Sequence, residues 1–415
     1  MDGNEILLLG LGIQSPWKLV EQRLDTDKTP HELHLTVKAE RGTKYDCPEC
    51  SKSCSAHDFQ EKEWRHLNFF QHHCYIHASV PRVKCEEHGV KQVTVPWARK
   101  GSKFTLLFEQ AALTLVREMP VSAAVRIIEI TDHRLWRVIY HYVTKALTQF
   151  DLSSVKAIGL DETASKRGHN YVTVFLDMEK RQEPVIFVTP GKGKDTLKQF
   201  TAFLKSHQGQ SDQVLEVVCD MSPAFLSGIA EQLPNAEVTV DWFHVVQIFT
   251  RALDDVRKSE SHVVPLPKHL RWAVLKSGNA NQMTVNQLYA LADLLEQGFD
   301  TATAWQIKER LKWIREAKTP QAARWRITRF VNYAKEMIGD SQLLEPVAKA
   351  LETLSKHAER IVRRWTSTYT NARMEGLNSI FQAARARARG YRDPNTFMTM
   401  IYMLASPAGS ILKST

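Results

Sequence analysis

The chain has 415 residues, 43% hydrophobic and 24% charged, and carries 55 Lys and Arg against 46 Asp and Glu. That length leaves room for two to four domains with real cores, and the +9 charge favours a polyanionic partner. The acidic start, Met1-Asp2-Gly3-Asn4-Glu5, is unlike a secretory signal, and the early apolar run 6–13 is too short to cross a bilayer. The expectation is a cytoplasmic protein with no membrane partner, whose six cysteines serve metal binding before disulfides.

Leu33, Leu35 and Val37 alternate with polar residues, so 31–39 reads as a strand leading into a cysteine-rich unit. Cys47-Pro48-Glu49-Cys50 is a CxxC knuckle, and Cys85-Glu86-Glu87-His88 is a CxxH knuckle after a second strand at 76–84. Two such knuckles place four ligands tetrahedrally, and thiolates with an imidazole suit one structural Zn²⁺. The ligand set stays open on these residues: Cys54 and His57 form another CxxH, and His66, His72, His73, Cys74 and His77 crowd the region. A small domain in which Cys and His merely pack is the bland alternative.

Residues 103–150 turn helical. An amphipathic run from 104 ends at Met119-Pro120. Ser122 then caps a short helix through Ile130, Thr131-Asp132 turn, and a longer helix follows from His133 to Leu147. With His133, Arg134 and Arg137 at its start, the second helix suits a helix-turn-helix that reads a DNA major groove. A plain helical linker fits the same residues, and a zinc ribbon in a basic chain tips the balance towards DNA.

From Val155 the pattern becomes α/β. Strands are expected at 155–161, 171–176, 184–189, 215–220 and 236–241. A helix capped by Asp195 or Thr196 lies between the third and fourth. The loop Pro190-Gly191-Lys192-Gly193-Lys194 lacks P-loop spacing and reads as an ordinary basic loop. Three strands in a meander, then helix, strand, helix and strand is the order of the RNase H-like fold. Residues 245–370 read as an all-α insertion whose tryptophans, Trp272, Trp305, Trp313, Trp325 and Trp365, are expected in its core. The expected division is 1–100 zinc ribbon, 101–150 helix-turn-helix, 151–260 with 366–415 catalytic core, and 261–365 insertion.

The first strand stops on Asp161-Glu162, the fourth on Asp220, and Glu375 opens a late helix. Between Arg360 and Arg392 there are eight arginines and one acid, Glu375. In a mixed sheet with first and fourth strands adjacent, Asp161 and Asp220 lie side by side, and a final helix can bring Glu375 to them. Three converging carboxylates repel unless cations relieve them; hard oxygen donors suit two Mg²⁺ or Mn²⁺ ions. Such ions perform in-line phosphoryl transfer at a phosphodiester. Adjacent strand residues face opposite ways, so one of Asp161 and Glu162 meets Asp220 and the other points away.

Ile158-Gly159-Leu160-Asp161-Glu162, Val218-Cys219-Asp220-Met221-Ser222, Asp241-Trp242-Phe243-His244 and 371–378 resemble the DDE transposases of the ISL-three insertion-sequence family. Gly390-Tyr391-Arg392, Phe397, the zinc ribbon and the helix-turn-helix fit as well, so the resemblance covers nearly the whole chain. It implies a multidomain α+β protein: a small zinc-ribbon β unit, a helical unit, and an RNase H-like core interrupted by an all-α insertion. The implied triad is Asp161, Asp220 and Glu375, separated by 59 and 155 residues (220 − 161 and 375 − 220). Asp241 and His244 become supporting catalytic candidates, although an Asp before a helix is equally a common N-cap. For zinc the resemblance implies a second CxxC, where this chain has Cys85 and His88.

The implied activity is binding of terminal inverted repeats followed by cleavage and strand transfer into target DNA. Arg373, Arg385, Arg387, Arg389 and Arg392 would contact that DNA beside the recognition helix. By analogy a homodimer or larger assembly synapses two ends, in the bacterial nucleoid when acting. The alternatives are a zinc-ribbon DNA-binding regulator that does not cut, and a structure-selective nuclease on the same fold.

Overall fold

Alternation along Leu33, Leu35 and Val37 produces strand β2 (Glu32–Ala39), which lies at the middle of an N-terminal sheet. The computed structural model describes residues 8, 10–40, 42–166, 170–275, 283–367, 369 and 372–409. These divide into two units, one drawn from 1–147 and the chain from 408 onward, the other from 148–407.

In the first unit β1 (Trp17–Asp25), β2, β5 (Ala56–Phe69) and β6 (His72–Cys85) form a sheet in the order β1-β2-β6-β5, and β7 (Gly89–Gln92) adds to β6. Only the β2–β6 pair is parallel. Its inward face buries Leu35, Val37, Ile76, Ala78 and Val80 against Trp17, Trp64 and Trp97. β3 (Tyr45–Asp46) and β4 (Ser53–Cys54) make a separate short hairpin. Sequence patterning missed β1 and β5, because most of their residues are exposed and the apolar alternation is diluted.

Three helices follow: α1 (Leu106–Glu118), α2 (Val121–Ile128) and α3 (Asp132–Leu147). Thr105 caps α1 by accepting the Phe108 N–H at 3.2 Å. Ser122 does not cap α2 as expected: Pro120 holds that position without a side-chain bond, and the helix stops where Glu129 turns left-handed at φ 54°.

The second unit is built on β8 (Ala157–Lys166), β9 (Asn170–Asp177), β10 (Val185–Pro190), β11 (Glu216–Cys219) and β12 (Glu237–Val240). Their order is β10-β9-β8-β11-β12, with the first three antiparallel and β11 parallel to both neighbours. Helices α4 (Asp195–Ser206) and α5 (Pro223–Gln232) form the crossovers. Phe200 and Phe225 from them pack on Leu160, Phe175, Ile186 and Val217. This is the expected RNase H-like core. Two local expectations fail. The N-cap position of α4 is Lys194, with Asp195 and Thr196 already inside the helix. β8 also runs on to Lys166 along its antiparallel partner, so Asp161 is not at its end.

After β12 come α6 (Trp242–Ser261), α7 (Leu270–Leu275), α8 (Val285–Gln297), α9 (Asp300–Arg315), α10 (Pro320–Ile338), α11 (Glu345–Lys356) and α12 (Ala358–Val362). Their shared core includes Phe249, Leu253, Ile307, Leu311, Phe330, Leu351 and Leu354. Buried Glu260 accepts the first amides of α9, Asp300 N–H and Thr301 N–H, each at 2.8 Å. There it satisfies orphan donors and opposes the helix dipole. The tryptophans are less buried than expected: Trp305, Trp313 and Trp365 only edge the core, while Trp272 and Trp325 are more than half exposed. Their helices present a wide polar face, and arginine side chains lie over the rings of Trp272, Trp313 and Trp325. Two last helices, α13 (Ala372–Arg387) and α14 (Pro394–Ala405), return to the sheet.

Candidate active site and zinc centre

Cys47 and Cys50 flank the turn of the β3–β4 hairpin, and Cys85 and His88 flank the turn between β6 and β7. The four ligand atoms lie within 4.8 Å of one another. Cys50 Sγ and Cys85 Sγ are 3.6 Å apart, Cys85 Sγ and His88 Nδ1 3.6 Å, and Cys47 Sγ and His88 Nδ1 3.9 Å. A tetrahedral zinc with bonds near 2.0–2.3 Å spaces its ligand atoms roughly 3.3–3.8 Å apart, so the set fits the ion. The His88 hydrogen bond, with the amides of Glu87 and His88, brings the Cys85 thiol down to about 6, towards the thiolate a metal needs. Of the rival ligands, Cys74 is core, His66 is buried with Nδ1 2.8 Å from Thr105 Oγ1, and the Cys54 thiol, which donates to Lys52 O at 3.4 Å, lies beside Cys85 outside the group of four. His88 thus stands where a fourth cysteine was expected, and the ribbon supports one structural zinc.

In the same unit His133, Arg134 and Arg137 are exposed at the start of α3. The Arg134 guanidinium sits 4.6 Å over the Phe104 ring. With Arg99, Lys103, His141 and Lys145, both arginines line an open groove of about 820 Å³. Sequence reading did not find Arg99 and Lys103, because they lie in the loop before α1 and join α3 only through packing.

In the second unit the acids are assembled by strand register. β11 pairs with β8 so that Val217 faces Ile158 and Val218 faces Gly159. Continued by two residues, that register sets Asp220 beside Asp161, just where β11 ends. Asp161 Oδ1 accepts the Glu162 N–H at 2.8 Å, and its Oδ2 accepts from Asn378 Nδ2 at 2.8 Å. Asp220 Oδ1 accepts the Ser222 N–H at 2.9 Å. α13 is clamped on β8 by Gln382, which donates to Thr163 Oγ1 at 2.6 Å, and Arg385, which donates to Ala164 O at 2.6 Å.

Burial raises the carboxyl of Asp161, and the Asp220 charge adds to it; the Glu162 amide, His244 and Asn378 oppose the rise. Burial also raises Glu375, assisted by Asp241 and Asp161 and opposed by His244. Asp161, Asp220, Asp241, His244 and Glu375 therefore share one electrostatic neighbourhood. The three triad carboxylates do not close into a group within 4.8 Å, unlike the zinc ligands. Glu162, expected to point away, belongs to the same neighbourhood: burial, with the Asp220 charge behind it, pushes its carboxyl up to about 7. Alternation along the strand separates two side chains by face, but not beyond the reach of charge at a partly buried site.

Asp241 takes the expected N-cap position. Its Oδ1 caps α6 by accepting the Phe243 N–H at 3.3 Å, while its buried Oδ2 has no hydrogen-bond partner. An orphaned carboxylate oxygen among further acids is a donor set that a hard divalent cation would satisfy. Of the arginines, Arg373 and Arg385 bond the backbone carbonyls of Lys180 and Ala164, whereas Arg389 and Arg392 are exposed beyond α13. Asn371, where the resembling stretch begins, lies outside the described residues.

The fold and the acids define an RNase H-like core carried with a zinc ribbon and a helix-turn-helix. Three family signatures match in chain order: a zinc finger of transposases at 45–88, a helix-turn-helix domain of transposase family ISL3 at 93–143, and the ISL3 transposase domain at 158–401. The chain belongs to the ISL3 family of insertion-sequence transposases. It is 24% identical over 365 residues to a transposase for insertion sequence element IS1001 of Bordetella parapertussis, covering 86% of this chain and 87% of that one. It is 28% identical over 219 residues to a transposase for IS1557 of Mycobacterium tuberculosis, covering 51% and 48%. No described helix is long and apolar enough to cross a membrane.

Proposed function

We propose that the protein binds the terminal inverted repeats of its element, cleaves at the ends and joins the 3′-hydroxyls to target DNA. The observation that carries this reading is the register that sets Asp220 beside Asp161, with the Asp161 charge bearing on Glu375 from a helix 155 residues after Asp220. Two Mg²⁺ or Mn²⁺ ions held there would activate the attacking oxygen and stabilise the leaving one. Asp161, Asp220 and Glu375 would hold them. Asn378 and the Glu162 amide fix the Asp161 carboxylate, and the Ser222 amide fixes Asp220. His244, which opposes the rise of both the Asp161 and the Glu375 carboxyl, would offset their repulsion. Arg389 and Arg392 would contact the phosphate backbone, while α3 with Arg134 and Arg137 reads the repeat. By analogy, an assembly of at least two chains would synapse two ends in the nucleoid.

The test is cleavage of labelled end DNA with Mg²⁺. Asp161→Asn, Asp220→Asn and Glu375→Gln should each lose about 10³-fold or more in rate while still binding DNA without metal. Three variants that cut like the parent would remove the triad assignment. Equal cleavage of a four-way junction and of end DNA would instead favour a structure-selective nuclease.

A further inference from the structure

The polar face of the N-terminal sheet carries a second group of metal-type ligands, formed by strands that supply nothing to the ribbon. The β1–β2 register sets Asp25 opposite Glu32 and Arg23 opposite His34. Asp25, Glu32 and His34 therefore project from the same side, and their ligand atoms all lie within 4.8 Å of one another. Their side chains are only 17%, 15% and 14% exposed, so these are not surface acids that water solvates. At the centre is an unsolved polar atom. His34 Nε2 is buried and makes no hydrogen bond, although Glu32 Oε2 stands 3.2 Å from it. A pair at that separation without hydrogen-bond geometry is spaced like two donors to one ion, since ligand atoms around a zinc are roughly 3–3.5 Å apart.

The other edge of the imidazole is already committed. His34 Nδ1 lies 2.9 Å from His77 Nε2, and His77 Nδ1 lies 3.7 Å from Glu63 Oε2. The His77 contact fixes the ring with its Nε2 edge turned towards the Asp25 and Glu32 carboxylates, three ligand atoms that one divalent cation would bridge. A second side chain holding an imidazole by its other ring nitrogen is the kind of outer-shell contact that orients metal-binding histidines. Tyr75 stacks on the His34 ring at 5.5 Å and holds it in plane.

We propose that Asp25, Glu32 and His34 form a second metal site, for a borderline divalent ion of the Zn²⁺ or Mn²⁺ type, with His77 and Glu63 positioning His34. One nitrogen and two carboxylates suit such ions and leave positions for water. The competitor is Lys28, whose ammonium pairs with Glu32 at 2.5 Å. Its side chain is 54% exposed and can swing into water, so an ion displaces it at small cost.

The experiment is equilibrium dialysis of the full chain against micromolar free Zn²⁺, followed by elemental analysis. It is done in an Asp161→Asn, Asp220→Asn background to remove the acids of the other unit. The parent should hold one zinc ion beyond the ribbon ion, and His34→Ala and Glu32→Gln should each hold one fewer than the parent. Retention of the ribbon ion in those variants reports that the unit is folded. Lys28→Ala, at an exposed position, should tighten the second ion, and His77→Ala should weaken it about 10- to 100-fold without touching the ribbon ion. If His34→Ala leaves the zinc count unchanged, or neither the parent nor Lys28→Ala takes up the additional ion, the site does not exist. The outcome is independent of DNA cleavage.

Discussion

The ribbon and the acid cluster both gather metal-type ligands, yet their folding logic is opposite. The ribbon takes its ligands from two tight turns 35 residues apart, and their atoms all lie within 4.8 Å of one another. The acid cluster collects Asp161 from β8, Asp220 and Asp241 from just after β11 and β12, and Glu375 from a distant helix, and burial raises the carboxyls of Asp161 and Glu375. Carboxylates at close quarters repel, and each must be restrained by an amide or a side-chain donor. A metal in the ribbon would thus stabilise its surroundings, whereas one at the acids would relieve a repulsion.

That contrast breaks first at Cys85. Cys85→Ser should release the ribbon zinc, and because metal binding there is folding energy of roughly 10 kcal/mol or more, the β3–β7 region should lose its structure. Elemental analysis and limited proteolysis read this directly; a variant that keeps both its zinc and its protease resistance would show that the ribbon stands without metal.

The two units should also respond to pH with opposite sign. Burial, with the Arg65 charge, holds His66 down at about 4 against an ordinary 6.5. The unfolded chain takes up that proton first, so stability is complete above 6.5 and is lost as pH falls towards 4, by at most about 3 kcal/mol. His66→Gln should flatten this part of the unfolding profile. Identical acid slopes in both proteins would assign the lability to the zinc ligands alone.

On the catalytic side, Asn378→Ala leaves Asp161 Oδ2 without its donor. It should slow cleavage about 10- to 100-fold with DNA binding intact, as loss of an outer-shell partner does. A drop in affinity with an unchanged rate would instead make Asn378 a DNA contact. The smallest effect is expected at Glu162. Its carboxyl, raised to about 7 from 4.5, favours the fold when protonated, so stability falls as pH rises through that window. Glu162→Gln should recover about 1 kcal/mol at pH 8 without divalent ions, after allowance for solvent screening, and nothing at pH 4. A variant less stable than the parent at pH 8 would mean that Glu162 makes a favourable contact there.

Local chemistry was legible in the chain wherever it repeats over a few residues. The knuckles at Cys47 and Cys85, the helices around Met119-Pro120, and the five strands from Val155 to Asp241 needed only spacing and alternation, and the structure keeps them. The family resemblance, carried by short motifs in fixed order, supplied what spacing could not: a proposed triad spanning 214 residues (375 − 161). Tertiary structure decided the rest. It extended β8 past Asp161, because antiparallel pairing with β9 continues after the parallel partner has ended. It gave Asp241 a cap on one oxygen and left the other bare, and it brought Glu162 into the range of Asp220. It drew Arg385 inward onto Ala164 and turned Trp272 and Trp325 outward. It also gathered Asp25, Glu32 and His34 on one sheet face. Each of these depends on register and packing between segments far apart in sequence, and a periodicity within one segment carries no information about its partner.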